Sequence, residues 1–232
     1  MQLKKLQFYD LKHVLINDAD FFQLFLEEIT VNVTEMFRDP SFFKAFNNQV
    51  IPYLSSYQHL KIWSAGCSTG EEVYSLAILL QEAGLREKSF IYGTDVNTDV
   101  LKEARRGIYS LRKIKSYAEN YQLSGLGDSI IDHFTILYDA ATIHSELKQN
   151  TLFSVHNLVS DNVFNEFQLI LCRNVLIYFD KTLQDKVFNL FDSSLEKLGF
   201  LILGSKENLR FSTVAPKFTQ WAPKEKIWRK TK

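Results

Sequence analysis

The sequence predicts an α/β fold: a doubly wound, mostly parallel sheet with a short helical segment before it and a small antiparallel β insertion within it. Three observations predict this. From residue 60 onward, short apolar runs alternate with amphipathic stretches. Turn and cap residues (Gly84, Asp180, Gly199) fall at the joints between them, and a second strand-helix-strand unit, beginning FQLILC, repeats the pattern late in the chain. Short buried strands separated by helices imply a parallel sheet covered on both faces. With 46% hydrophobic and 14% aromatic residues in a length of 232, the chain can bury one substantial core. The expected division is a helical segment over 1–55 and one main domain over 56–232.

Taken in order, Phe21, Phe22, Phe25, Leu26 and Ile29 fall at helical spacing behind Asp18 or Asp20 as a cap. Asp39-Pro40 marks a second helix start, a capping side chain followed by proline at the first helical position, and puts Phe42, Phe43, Phe46 and Val50 on one stripe. HLKIWSA reads as the first strand, Glu71 to Ala83 as a helix ended by Gly84, SFIYGTDV as the second strand, and Thr98 to Arg106 as the next helix. FTILYD and ATIHSE are short strands with no helix between them, which places the antiparallel insertion at about 134–150, and NTLFSVHNL returns to the main sheet. After the strand FQLILC, Asp180 caps a helix carrying Leu183, Val187, Leu190, Phe191, Leu195 and Leu198 on one side. Gly199 is expected to end it before FLILGS, and the tail around Pro223 supplies a final antiparallel pair.

Composition narrows the function classes. Lys plus Arg equal Asp plus Glu at 27 each, so the summed charge gives no reason to expect nucleic acid or an anionic membrane as partner. Cys67 and Cys172 fit no C-x-x-C spacing, which suits a reducing compartment, so a cytoplasmic protein is expected. No targeting segment and no apolar run of about 18 residues is present, which predicts a soluble chain without membrane insertion. The five histidines include no H-x-x-x-H pair, and DVNTDV lacks the glycine and closing glutamate of a calcium loop, so no metal is expected. A monomer is expected, there being no recognisable assembly motif. The basic cluster Lys102 to Lys115 reads either as a solvated helix face or as a docking patch.

The stretch GCSTGEE (Gly66 to Glu72) is the first candidate site. As G-x-S-x-G it fits a nucleophile elbow with Ser68 as the attacking hydroxyl. A hydrolase elbow, however, lies deep in a sheet built from earlier strands and is followed by an acid and then a late histidine. Here helices precede it, and no histidine follows His156. The other reading is a cradle for a nucleotide-like cofactor: a glycine turn after the first strand, helix amides facing the ligand, and Asp95 ending the second strand to take ribose hydroxyls. The loop lacks full G-x-G-x-x-G spacing. Glu71 and Glu72 at the helix start would repel a pyrophosphate and attract an amine or a sulfonium. That favours S-adenosylmethionine over a dinucleotide.

Four stretches then become specific. TVNVTEMFRDPSFFKAF, IWSAGCSTGEEVYSLAILL, TDVNTDVLKEARRGIY and FQLILCRNVLIYFDKTLQ resemble, in order, the motifs of the chemotaxis receptor methyltransferase (CheR) family. The resemblance runs from about Thr30 to about Leu209. It implies a Rossmann-like methyltransferase sheet, S-adenosylmethionine as cofactor with S-adenosylhomocysteine as product, and methyl transfer to glutamate side chains of a methyl-accepting receptor's cytoplasmic region. It further implies that Asn32, Thr34 and Arg38 contact the cofactor, with Arg38 close to the methyl. Ala65 and Gly66 join that set; Glu71 holds the methionine amino group and Asp95 the ribose. Asn157 and Leu158 bracket the adenine, Arg173 and Asn174 line the pocket, and Tyr178 stands beside the reacting centre.

The chain departs from the family in two places. Residues 1–31 lack the family's basic receptor-facing helix, setting Lys4, Lys5 and Lys12 against Asp10, Asp18, Asp20, Glu27 and Glu28. Gly204-Ser205-Lys206-Glu207 replaces the usual G-H-S-E. The insertion stands where some members pair an edge strand with a receptor peptide by β-augmentation. A non-catalytic cofactor-binding signalling module and a small-carboxylate O-methyltransferase are the alternative readings.

Overall fold

The structure, a computed structural model, describes residues 8–18, 21, 22, 24, 25, 28, 34–127 and 129–232. In chain order these form α1 (Phe8–Asn17), α2 (Pro40–Gln49), α3 (Ile51–Leu54), β1 (Leu60–Ala65), α4 (Glu71–Glu82), β2 (Ser89–Asp95) and α5 (Thr98–Arg106). Then come β3 (Ile108–Ser110), α6 (Leu111–Ser124), β4 (Phe134–Ile136), β5 (Ala140–Ile143), α7 (Ser145–Lys148) and β6 (Thr151–Val155). β7 (Phe167–Cys172), α8 (Lys181–Ser194), β8 (Leu195–Leu203), β9 (Phe218–Ala222) and β10 (Ile227–Lys230) complete them.

The main sheet runs in the order β6-β2-β1-β7-β8-β10-β9. The first five strands of that order are parallel; β10 pairs antiparallel with both β8 and β9. β1 and β7 are buried on both faces, as expected of central parallel strands whose sequences, LKIWSA and FQLILC, are nearly continuous apolar runs. Ile62 is in register with Ile91 on one side and Leu169 on the other. The strand order reverses at β1, which creates a crevice beyond the carboxyl ends of β1 and β7. One face of the sheet packs Ile62, Ile91 and Leu169 against α4 and the α2–α3 segment, including Phe42, Phe46 and Leu54. The other packs Trp63, Ile170 and Leu201 against Val187, Phe188 and Phe191 of α8.

The doubly wound sheet and the small antiparallel sheet are as predicted, with local differences. The small sheet has order β3-β5-β4, and the sequence reading missed β3. α1 was likewise not predicted. Asp18 does cap: its Oδ1 accepts the Phe21 amide at 2.9 Å, and residues 21, 22, 24, 25 and 28 are helical; Leu26 and Ile29 lie outside the described residues. α8 ends at Ser194, not at Gly199. Leu195 is drawn into β8 opposite Phe167, and Leu198 takes a left-handed φ of 70° at an irregularity in the pairing. Asp39 occupies the N-cap position of α2 but its side chain makes no cap bond, because the carboxylate is pulled to Arg173. The final hairpin is clamped to α8 by Asp192, which pairs with Lys217 and Lys230. Among the described residues no helix is long and apolar enough to cross a membrane.

Candidate cofactor and active site

The carboxyl ends of β1, β2, β6 and β7 converge on one cavity of about 570 Å³. Its walls come from the loop after β1 (Gly66, Cys67, Ser68), the end of β2 (Asp95, Val96), the turn after β6 (His156 to Val159) and the turn after β7 (Arg173 to Val175). Thr34, Glu35 and Arg38 close it on one side, with Tyr178 and Phe179 also on its wall.

The β1 loop is fastened to the end of β2. The amides of Gly66 and Cys67 both donate to the Thr94 carbonyl, at 2.8 and 2.9 Å. Gly66 sits at φ 76°, and a Cβ there would lie 2.3 Å from Val175 Cγ2, so only glycine allows the β1 and β7 turns to meet. Ser68, at φ 50°, donates its amide to Asp95 Oδ2 at 2.9 Å, while the Asn97 amide donates to Oδ1 at 3.0 Å. Asp95 is thus held by main chain with its carboxylate on the cavity wall. Burial pushes its carboxyl above the ordinary range, and the amide bonds pull it partly back.

The two acids of GCSTGEE diverge, because neighbours on a helix do not share a face. Glu71, expected from the resemblance to hold the methionine amine, is fully buried away from the cavity. It accepts hydrogen bonds from Thr69 Oγ1 (2.6 Å), Tyr117 OH (2.9 Å) and Lys113 Nζ (3.0 Å). The acid on the cavity wall is Glu72. It accepts from Ser64 Oγ at 2.9 Å and from Arg173 Nη1 at 3.2 Å.

Arg173, its side chain 4% exposed, is the hub of the opposite wall. It pairs with Asp39 at 2.7 Å and Glu72 at 3.2 Å, donates to the Arg38 carbonyl at 3.2 Å, and lies 4.2 Å over the Phe42 ring. The next turn, with Asn174 at φ 62°, is gathered by Glu207. That carboxylate accepts the amides of Asn174 (3.2 Å), Val175 (2.8 Å), Leu176 (2.8 Å) and Gly204 (2.5 Å). Burial raises the Glu207 carboxyl against the pull of those four donors. Tyr178, 60% exposed, ends the turn on the cavity wall.

Of the residues expected at the site, Thr34, Arg38, Gly66, Asp95, Asn157, Leu158, Arg173, Asn174 and Tyr178 all line this cavity. Asn32 lies outside the described residues. Ala65 is 1% exposed at the end of β1 and lies behind the wall, its side chain committed to the core with Trp63 and Leu158. Sequence reasoning did not place Glu35, Val96 or His156 on the wall, and of the two acids it read as attracting an amine it singled out Glu71, whereas Glu72 lines the cavity.

The elbow reading finds no support: the Ser68 hydroxyl is buried without a partner, and His156 turns its Nε2 to the Asn162 carbonyl at 3.3 Å. Among the described residues no three His, Cys, Asp or Glu side chains cluster to hold a metal. The donor set does fit an adenosyl amino acid. Asp95 offers acceptors for a diol, Glu72 an anion for an ammonium, Val96, Leu158 and Val159 apolar surface for a base, and Ser68 an unsatisfied hydroxyl.

A family model described as "CheR methyltransferase, SAM binding domain" matches residues 32–224. The protein Cher3 of Pseudomonas putida is 46% identical over 221 residues, covering 95% of this chain and 81% of that protein. The chemotaxis protein methyltransferase of Borreliella burgdorferi is 34% identical, covering 80% of this chain and 67% of that protein. That of Salmonella typhimurium is also 34% identical, covering 88% and 68%.

Proposed function

Because the chain belongs to the CheR methyltransferase family, we propose that it transfers a methyl group from S-adenosylmethionine to glutamate carboxylates in the cytoplasmic region of a methyl-accepting chemotaxis receptor. The products are glutamate methyl esters and S-adenosylhomocysteine. The observation that carries this reading is that Glu72 and Asp95 share one cavity with Arg38 and Tyr178. Two acids suit the amine and ribose of the donor; an arginine and a phenol suit an incoming anion.

When bound, the cofactor supplies an electrophilic methyl group on a sulfonium. Glu72 takes over the amine-binding role first assigned to Glu71, Asp95 accepts from the ribose hydroxyls, and Asn157 and Leu158 flank the adenine. A substrate glutamate, with a pKa of about 4.3, is already ionised near neutrality. The site therefore needs no general base, and its residues act by alignment and electrostatics. Arg38 positions the carboxylate and Tyr178 fixes its orientation with one hydrogen bond. Tyr178→Phe is expected to lower turnover about tenfold, the worth of one orienting hydrogen bond, while S-adenosylhomocysteine affinity, read by isothermal titration, stays near that of the wild type. Equal losses in both would remove Tyr178 from this role.

Incubation with methyl-labelled S-adenosylmethionine and a receptor cytoplasmic fragment tests the reaction. Base-labile label on the protein fragment is the expected result. Label on small carboxylic acids alone, or cofactor binding without transfer, would overturn it.

A further inference from the structure

Glu71 is a buried carboxylate that the cavity does not use, yet three donors converge on it. Two come from α6, beside the small sheet: Lys113, whose side chain is half exposed, and Tyr117, which is buried. The third is Thr69 of the β1 loop, whose carbonyl also accepts the Tyr109 hydroxyl of β3 at 3.0 Å. Burial and the charge of Glu71 push both the Tyr109 and Tyr117 phenols far above their ordinary values, so both stay protonated and remain donors.

Thr69 lies between two left-handed residues, Ser68 at φ 50° and Gly70 at φ 87°. Glycine adopts that conformation freely, but serine does so at a cost of about 1 kcal/mol. Ser68 in that conformation presents the amide that orients Asp95. A strained residue persists only where its neighbours over-determine it, and here the neighbour is Thr69, gripped on its hydroxyl by Glu71 and on its carbonyl by Tyr109.

We propose that Glu71 is a positioning residue for cofactor binding: the Lys113–Glu71–Tyr117 cluster clamps Thr69, and through it holds the Ser68 amide that sets Asp95. The proposal rests on the reading of the cavity as the S-adenosylmethionine site. It makes α6 and the small sheet a brace for the cofactor loop, and it accounts for Lys113 as distinct from the rest of the basic cluster. Lys102 there pairs with Asp99, and Arg105 donates to the Phe153 carbonyl.

The test titrates S-adenosylhomocysteine into wild type, Lys113→Met, Lys113→Arg, Tyr117→Phe and the exposed neighbour control Arg112→Met, with thermal unfolding of each. Lys113→Met and Tyr117→Phe leave the buried carboxylate under-satisfied and are expected to weaken binding about tenfold. Lys113→Arg is expected to restore it to within about twofold and Arg112→Met to leave it unchanged. In turnover assays the clamp variants should raise KM for the donor with kcat at saturation nearly intact. Variants that lose thermal stability but bind S-adenosylhomocysteine as the wild type does would show a merely structural cluster and overturn the proposal. A wild-type protein that fails to bind S-adenosylhomocysteine would overturn the cofactor reading itself, and the clamp with it.

Discussion

Replacing Arg173 with alanine is expected to lower stability by about 3 kcal/mol and to abolish measurable binding of S-adenosylhomocysteine. The guanidinium is almost wholly buried and serves Asp39, Glu72 and the Arg38 carbonyl at once. Its removal strands Glu72, which is itself largely buried, and releases the loop carrying Arg38. Asp39 keeps partial access to water, which holds the expected loss at the lower end of the range for broken buried pairs. Arg173→Lys should recover little, because a single ammonium cannot present separate donors to three acceptors or lie flat on the Phe42 ring. Urea unfolding reads the stability and isothermal titration the binding. A stable, binding-competent Arg173→Ala protein would show that the three contacts are incidental.

Asp95→Asn is expected to separate binding from stability. Loss of a charged acceptor at the proposed ribose position should weaken S-adenosylhomocysteine about 100-fold, the equivalent of one hydrogen bond to a charged group. Stability should change far less. A carboxyl whose folded-state pKa is raised above 3.8 binds its proton more readily when folded. It therefore costs stability above that raised value, and the cost fades as pH falls through it toward 3.8. The amide carries no such cost, but its Nδ2 donates where one carboxylate oxygen accepted the Ser68 or the Asn97 amide, so the two effects oppose and at pH 7 the thermal midpoint of Asp95→Asn should stay close to that of wild type. The dependence of stability on pH just above 3.8 should flatten. A clear drop in midpoint at pH 7 would mean that the lost amide acceptor outweighs the relief of the buried charge.

What could be read from the sequence follows from what is local. β7 and α5 lie where FQLILC and Thr98 to Arg106 placed them, and Asp180 caps α8 by accepting the Leu183 amide, because each depends on a few neighbouring residues. β3 escaped notice because the three residues IYS become a strand only by pairing with β5, some thirty positions on. The helix stripe through Leu195 and Leu198 was real as a pattern, but the chance to pair Leu195 with Phe167 outweighed it. Asp39 is a cap by local logic and an ion-pair partner by tertiary logic, and the buried Arg173 decides the matter. At the site, nine expected residues meet at one cavity. Which of the two adjacent acids lines the cavity was not legible, since it turns on how α4 is rotated against the sheet, and Lys113 and Tyr117, over forty positions away, satisfy Glu71 and leave Glu72 to the cavity.

The amide clasp around Glu207 has a bearing on how freely its loop can drift. A Cβ on Gly204 would come within 2.7 Å of the Asn174 nitrogen, and Glu207 is committed to four main-chain donors, whereas Ser205 and Lys206 face outward. In a library randomised over 204–207, selection for function should return glycine and glutamate at the two ends and nearly any pair between them. The G-S-K-E of this chain, set beside the G-H-S-E that the family resemblance led one to expect, is then neutral variation in a spacer, and the outer letters alone carry the information.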